Sequence, residues 1–337
     1  MQNNTPKEKL LEVQDLHTSF FTHAGEVKAV DGVSYYINKG EVVAIVGESG
    51  CGKSVTQMSI TQLIQMPPGK ILKGKALFEG EDLLQYGPRS AQMNAVRGAK
   101  ISMIFQEPMT SLNPVLTIGD QLSEVIRTHT NLNRKQAWEK GIEALKSVSI
   151  PDPERRMKNY PFEMSGGMRQ RVMIATAVAC NSKLIIADEP TTALDVTTQA
   201  QVMDLLMSVV ERFGTSLLVV THNLGLVTRY ADRIYVMYAG RIIESGTTED
   251  ILTAPEHPYT KGLLRSVPRL DESEGKKLVP IKGAPPSLAD LPTGCAFRPR
   301  CAYACEICAT TTPTLKCVDA NEHYVACCLK GGEENDK

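Results

Sequence analysis

Three short stretches of the chain are continuously apolar: Val42 to Val46, Leu184 to Ala187 and Leu217 to Val220. Unbroken runs of this length predict strands buried on both faces, as in a parallel sheet. A glycine-rich turn and a helix beginning at Lys53 follow the first run, and Thr198 to Phe213 reads as an amphipathic helix between the other two. Strands alternating with helices predict an α/β domain with a largely parallel core. From Thr117 to Met157 the pattern is helical and charged with no strand-like run, which predicts an inserted helical subdomain over about residues 115–170, closed by the breaker Pro151-Asp152-Pro153. Beyond Gly246 the prolines at 255, 258, 268, 280, 285, 286, 292, 299 and 313 interrupt any long element, so residues 256–337 read as an irregular appendage.

Composition changes this picture little. A chain of 337 residues is a prior of about two domains. Lys plus Arg number 37 against 38 Asp plus Glu, so there is no global drive toward nucleic acid, and no nucleic-acid partner is expected. No apolar run approaches the roughly 20 residues needed to span a bilayer. The opening MQNNTPKEKL lacks the apolar stretch of a secretory signal, so a cytoplasmic location is expected. Seven of the nine cysteines fall between Cys295 and Cys328, and in a reducing compartment that clustering points toward a metal.

The chemistry is concentrated in a few strings. Gly47-Glu48-Ser49-Gly50-Cys51-Gly52-Lys53-Ser54 fits G-x-x-x-x-G-K-[ST] with a predicted strand before it and a helix after it. Its glycines let N–H groups face inward around phosphates, Lys53 sets a charge near the β and γ phosphates, and Ser54 can ligate Mg²⁺; the ATP-binding run extends to Val55. Cys51 sits where a helix N-terminus and Lys53 are expected to lower a thiol pKa, which predicts inhibition by alkylation and protection by ATP. Leu184 to Glu189 is an apolar strand ending in two acids: Asp188 is placed to hold Mg²⁺ through water, and Glu189 to act as general base on the attacking water. Ser165-Gly166-Gly167, ahead of a helix read as Arg169 to Ala179, makes an anion-binding helix start.

At Ser165-Gly166-Gly167-Met168-Arg169-Gln170 the chain resembles the ATP-binding cassette (ABC) ATPases. The resemblance covers about residues 10–255 and implies a RecA-like P-loop core with the helical subdomain inserted, followed by a Cys-rich C-terminal domain over residues 256–330. It implies that Ser165, Gly166, Gly167 and Gln170 meet the γ-phosphate held by an opposite subunit. Gln106 resembles the glutamine that contacts Mg²⁺ and the attacking water, Asp195 in Ala193-Leu194-Asp195 the loop that crosses to the opposite site, and His222 the histidine that contacts the γ-phosphate. Phe20 fits the adenine-stacking aromatic by its spacing from Leu16, with Phe21 adjacent. Phe162 and Met164 depart from the His and Leu common before the signature serine; neither position carries chemistry.

Gln106-Glu107-Pro108-Met109-Thr110-Ser111-Leu112-Asn113-Pro114, His257-Pro258-Tyr259-Thr260 and Gly283-Ala284-Pro285-Pro286-Ser287-Leu288 are similar to the oligopeptide, dipeptide and nickel importer ATPases, nearest to the first of the paired subunits, the D type. Membership would make the chain a translocase ATPase, peripheral on the cytoplasmic face of the inner membrane. It would pair with a homologous ATPase as a heterodimer and drive two permease subunits, with an extracytoplasmic binding protein acting indirectly. Nickel or another small solute is the alternative cargo to peptides.

The spacing Cys295-x5-Cys301-x6-Cys308, with Cys327 further on, is wrong for a zinc ribbon and suits a four-thiolate [4Fe–4S] site better. In the resembled subfamily a segment like Gly294-Cys295-Ala296-Phe297-Arg298-Pro299-Arg300-Cys301 carries such a cluster, which assigns Cys295, Cys301, Cys308 and Cys327, with Cys328 the alternate fourth ligand. Zinc-bound or free thiols are the other reading. Other ATPase classes fit less well. About 110 residues separate Lys53 from Ser165, too few for the long coiled coil of a DNA-repair ATPase. Only one cassette is present, where a ribosome-acting ATPase would usually carry two, and a pure iron–sulfur module leaves the phosphate loop unexplained.

Overall fold

The structure, a computed structural model, describes residues 8–23, 25–106, 111–192, 195–266, 280–318 and 322–329. Parts of two motif strings, Glu107 to Thr110 and Ala193-Leu194, lie outside the described residues. The strands in chain order are β1 Lys9–Thr22, β2 Gly25–Asn38, β3 Val42–Val46, β4 Gly69–Phe78, β5 Glu81–Asp82, β6 Ile101–Ile104, β7 Leu184–Asp188, β8 Ser216–Thr221, β9 Arg233–Tyr238, β10 Arg241–Thr247, β11 Lys316–Cys317 and β12 Tyr324–Val325. The chain forms two compact units that do not follow chain order. One holds residues 38–41 and 86–220; the other holds 8–37, 42–85 and the chain from 221 onward.

In the first unit β6, β7 and β8 run parallel, with Ile104 opposite Ala187 and Asp188 opposite Val220. Every residue of β7 and β8 is buried, as their unbroken apolar runs predict, and each strand is slightly longer than its run. The predicted helical region resolves into helices Ile118–His129, Arg134–Ser147 and Pro153–Arg156. Thr117 caps the first by accepting from the Asp120 N–H, and Asn133 with Gln136 forms a capping box on the second. Their buried faces carry Leu122, Ile126, Ala137 and Leu145. A Cβ at Gly119 would stand 2.4 Å from the Trp138 ring, so only glycine lets these elements meet. The amphipathic helix runs Val196–Phe213, capped by Asp195 and ended by Gly214 at φ 61°.

One boundary differs from the sequence reading in a way that matters. The helix expected from Arg169 runs Gly166–Val178, because Ser165 caps it by accepting from the Met168 N–H. Gly166 and Gly167 therefore lie within the first helical turn, not ahead of it.

The second unit holds a four-stranded sheet in the order β2-β1-β4-β5, with β1 antiparallel to β4 and β4 to β5. The sequence pattern did not reveal it. Along β1 a register shift between Gln14 and His17, with Asp15 at φ 47°, breaks the two-residue alternation that marks a strand. The same unit pairs β3 parallel with β9, and β10 antiparallel with β9.

The described residues beyond 256 are less irregular than the prolines suggest. Helix Pro258–Arg265 has proline at its first position, where the missing N–H costs nothing. Further on, β12 pairs with β10 and β11 with β12, returning the chain to the sheet. Glu244, fully buried on β10, ties this return together. Its carboxylate accepts the Glu256 and His257 N–H groups at 2.6 and 3.0 Å and lies 2.9 Å from the His323 ring nitrogen. His257 caps helix Pro258–Arg265, its Nδ1 accepting the Tyr259 N–H at 3.0 Å.

Burial, with a smaller effect of the Lys261 charge, lowers the His257 pKa from its ordinary 6.5 to about 3. The unfolded chain thus takes up this proton near pH 6.5 and the folded chain near pH 3, so His257 costs stability as pH falls through that window. His257→Asn, which keeps a capping acceptor, is expected to flatten the loss of urea stability between about pH 6 and pH 4. An unchanged slope would mean that other groups carry it.

Candidate nucleotide site

The phosphate loop begins where fully buried β3 ends. A Cβ at Gly47 would stand 2.2 Å from the Met237 carbonyl oxygen, and one at Gly52, at φ 102°, 2.1 Å from that of Ala29. No other residue fits either place. The helix Lys53–Ile60 starts without a side-chain cap, so its first N–H groups form an anion-binding end. Lys53, 4% exposed, folds its ammonium onto the loop and donates to the Gly47 and Glu48 carbonyls at 2.8 and 3.0 Å. Ser49 and Gly50 are exposed at the tip, and Ser54 and Val55 are half-buried behind it. The outer side of the loop is also held. The Glu48 N–H donates to the Tyr259 hydroxyl at 2.9 Å, and the Glu48 carboxylate meets the Arg300 guanidinium. Phe20 is half-buried on β1 opposite Gly69 of β4, and Phe21 is exposed.

In the other unit the acids at the end of β7 are assembled as a group. Asp188 and Glu189 are both buried, and Glu189 has a left-handed backbone at φ 47°. That conformation is strained for a side chain of this kind and concentrates at functional positions. The Glu189 Oε2 accepts from Gln106 Nε2 at 3.1 Å and from the Thr192 hydroxyl at 2.7 Å. Gln170, 1% exposed, donates to the Pro190 carbonyl at 2.7 Å, so the signature helix holds the loop that follows Glu189. Ser165, Gly166 and Asp195 are exposed and His222 is exposed just after β8. Sequence reasoning missed Thr192, Tyr259, Tyr238 and Arg300 as site residues. Tyr259 and Arg300 stood inside quoted strings, but nothing in those strings says what the side chains touch.

For Mg²⁺ the donor chemistry fits: a hydroxyl at Ser54, an amide oxygen at Gln106 and the Asp188 carboxylate are hard oxygen ligands. For an iron–sulfur cluster the thiols gather without forming a ligand group. Cys305 Sγ lies 3.5 Å from Cys308 Sγ. Burial, then the nearness of other cysteines, raises the pKa of Cys295 and of Cys301, and pushes Cys328 up to about 11. The neighbours acting on Cys301 are Cys327, Cys308 and Cys305, so thiols from distant stretches do approach one another. Yet among the described residues no three His, Cys, Asp or Glu side chains converge as metal ligands. A cavity of about 640 Å³ lies between β2, β10 and this segment; no residue of the phosphate loop lines it.

The expectation for Cys51 is overturned. Burial raises its thiol pKa and outweighs the opposing effect of Lys53, whose ammonium stands 3.9 Å from the sulfur. Cys51 is 5% exposed. With exposed Cys305 as the internal reference, Cys51 is expected to alkylate at least about tenfold more slowly at pH 8. Peptide mapping after timed iodoacetamide treatment checks this, and equal rates would contradict it.

Comparison with known proteins agrees with this geometry. Residues 30–192 match the family described as ABC transporter, and residues 243–308 the family described as oligopeptide/dipeptide transporter, C-terminal region. The chain is 49% identical over 323 residues to the dipeptide transport ATP-binding protein of Bacillus subtilis, covering 96% of this chain and 95% of that protein. It is 50% identical over 317 residues to the oligopeptide transport ATP-binding protein of the same organism, covering 94% and 88%. Among solved structures, a dimeric ATP-binding cassette in a post-hydrolysis state with ADP and phosphate matches at a TM-score of 0.62 and 26% identity, covering 71% of this chain and 98% of that one. An ATP-binding cassette fold with an intact phosphate loop, continuous with a C-terminal region of the oligopeptide/dipeptide type, places the chain in one family: it belongs to the ATP-binding subunits of the oligopeptide and dipeptide ABC transporters.

Proposed function

We propose that the chain binds and hydrolyses ATP to power uptake of peptides, as one of two paired ATPase subunits beneath two membrane permease subunits. The relatives' names, dipeptide and oligopeptide transport ATP-binding proteins, support peptide cargo. The observation that carries the catalytic reading is the Glu189 carboxylate at the end of β7, held by Gln106 and Thr192. Lys53 exchanges its loop carbonyls for the β and γ phosphates, an exchange of neutral for anionic acceptors that strengthens each hydrogen bond. Glu189 accepts a proton from the attacking water as the water oxygen bonds to the γ-phosphorus and ADP departs. Gln106 and Thr192 fix which Glu189 oxygen faces that water. Bound Mg²⁺, held by Ser54, Gln106 and Asp188, would supply charge neutralisation at the phosphates.

Ser165, Gly166, Gly167 and Asp195 form the surface that faces the ATP of the opposite subunit, and His222 contacts the γ-phosphate; Gln170, expected on that surface, is instead buried with its amide on the Pro190 carbonyl and supports the turn after Glu189. The exposure of Ser165, Gly166 and Asp195 supports a partner there, and Phe20 serves as the adenine platform. Closure then follows from differential binding, because ATP bridges both subunits only when they meet. The permease contact falls on the helical region. Val115 and Leu116 are exposed, as is the Tyr160–Phe162 stack with ring centroids 5.5 Å apart. The Ile118 N–H bonds the Asn159 carbonyl at 2.9 Å and joins the two stretches that carry these apolar groups. Among the described residues no helix is long and apolar enough to cross a membrane, consistent with attachment through such a contact.

We hold the iron–sulfur assignment of Cys295, Cys301, Cys308 and Cys327 as a separate proposal, supported by the approach of their thiols, and no step runs through it. About four irons and four sulfides per chain after purification without oxygen, lost in Cys301→Ser, is the expected result. Zinc in their place, or no metal, overturns it. For the ATPase reading, Glu189→Gln is expected to retain ATP binding and to lower turnover by about 10²-fold or more. Near-normal turnover in that variant removes Glu189 from the role of base.

A further inference from the structure

The C-terminal segment holds Glu48 of the phosphate loop by both side chain and backbone. Arg300 grips the Glu48 carboxylate as a fork, Nη1 to Oε2 at 2.6 Å and Nη2 to Oε1 at 2.9 Å. The Arg300 side chain is 4% exposed and that of Glu48 27%, so this pair is largely removed from water. Two further donors of the guanidinium are used as well. Nε donates to the Lys282 carbonyl at 3.1 Å, and Nη1 also reaches the Tyr238 hydroxyl at 3.4 Å. The guanidinium lies 5.9 Å from the Tyr238 ring centre and 6.0 Å from that of Phe297. Those rings pack with Tyr259, at 4.7 Å from Tyr238 and 5.5 Å from Phe297, and Tyr259 accepts the Glu48 N–H. One aromatic cluster, drawn from β9, helix Pro258–Arg265 and the Cys-rich segment, thus supports both contacts to Glu48.

Glu48 follows Gly47, whose carbonyl is one of the two that Lys53 holds; the other is the carbonyl of Glu48 itself. A shift of Glu48 therefore moves the acceptors that set the Lys53 ammonium. An arginine fork fixes orientation as well as distance, which a lysine point charge would not do. We propose that Arg300 is a positioning residue for ATP binding: acting through Glu48, it fixes the phosphate loop, so that the order of the Cys-rich segment is read out as nucleotide affinity. The proposal rests on the reading that residues 47–55 bind ATP.

The test is ATP titration of the full-length chain by calorimetry, with wild type, Arg300→Ala, Arg300→Lys, Glu48→Gln, the double variant Arg300→Ala/Glu48→Gln, and Lys53→Ala. Arg300→Ala is expected to weaken ATP binding by about tenfold, and Arg300→Lys to recover only part of that loss. Because the two side chains act as one unit, the double variant should be no weaker than the weaker single variant. In steady-state hydrolysis the KM for ATP should rise by more than kcat falls. Wild-type affinity in Arg300→Ala, or losses in the double variant that simply multiply, overturns the inference. If Arg300→Ala does not fold, the comparison of Glu48→Gln and Arg300→Lys with wild type decides by the same criterion. Failure of the underlying reading looks different: wild type would not bind ATP, or Lys53→Ala would bind it equally well.

Discussion

Everything at the nucleotide site depends on a lysine ammonium kept out of water against its own loop. A buried cation without partners is prohibitively costly, and Lys53 meets that cost with the carbonyls of Gly47 and Glu48. For those carbonyls to face it, the loop must fold back at Gly47 and Gly52, where neighbouring backbone oxygens leave no space for a side chain. Those oxygens belong to Met237 of β9 and to Ala29 of β2. The shape of the loop is therefore set by strands distant from it in sequence, and the helix Lys53–Ile60 begins where the loop leaves it.

The acid end of β7 follows a similar logic in the other unit. A fully buried strand carries two carboxylates to its end, and the following turn places Glu189 in a left-handed conformation. Gln106 comes from the end of β6 and Thr192 from just past the turn, and both hydrogen bonds go to one Glu189 oxygen. A carboxylate so held presents its other oxygen in a fixed direction. The proposed role of general base requires such a fixed carboxylate, since a proton transfer is efficient only within hydrogen-bond reach of its target. Gln170 joins the signature helix to the same turn through the Pro190 carbonyl, so one hydrogen bond links that helix to the residue next to Glu189.

The C-terminal region is more closely joined to the cassette than its proline content suggests. Its strand β12 extends the sheet beside β10, its His323 lies against the buried Glu244, and its Arg300 holds the phosphate loop. Prolines forbid long helices and central strands, but they do not forbid short edge pairing or a side-chain fork. Cys301 lies near Cys305, Cys308 and Cys327 as a consequence of that folding.

The sequence by itself determined the parts whose function resides in backbone and local pattern. The phosphate loop, the buried strands β3, β7 and β8, the helical region and the signature serine were all legible, because a glycine turn, an apolar run and a helix cap are each encoded within a few residues. Tertiary structure alone decided the rest. The β2-β1-β4-β5 sheet was hidden by a bulge at Asp15, which breaks the alternation a reader looks for. The reactivity of Cys51 was misread because a neighbouring lysine can be seen in sequence, whereas the burial that outweighs it cannot. Arg300 was missed for a related reason: a hydrogen bond across 252 residues, as between Arg300 and Glu48, leaves no periodic trace in the chain and exists only once the sheet has brought its ends together.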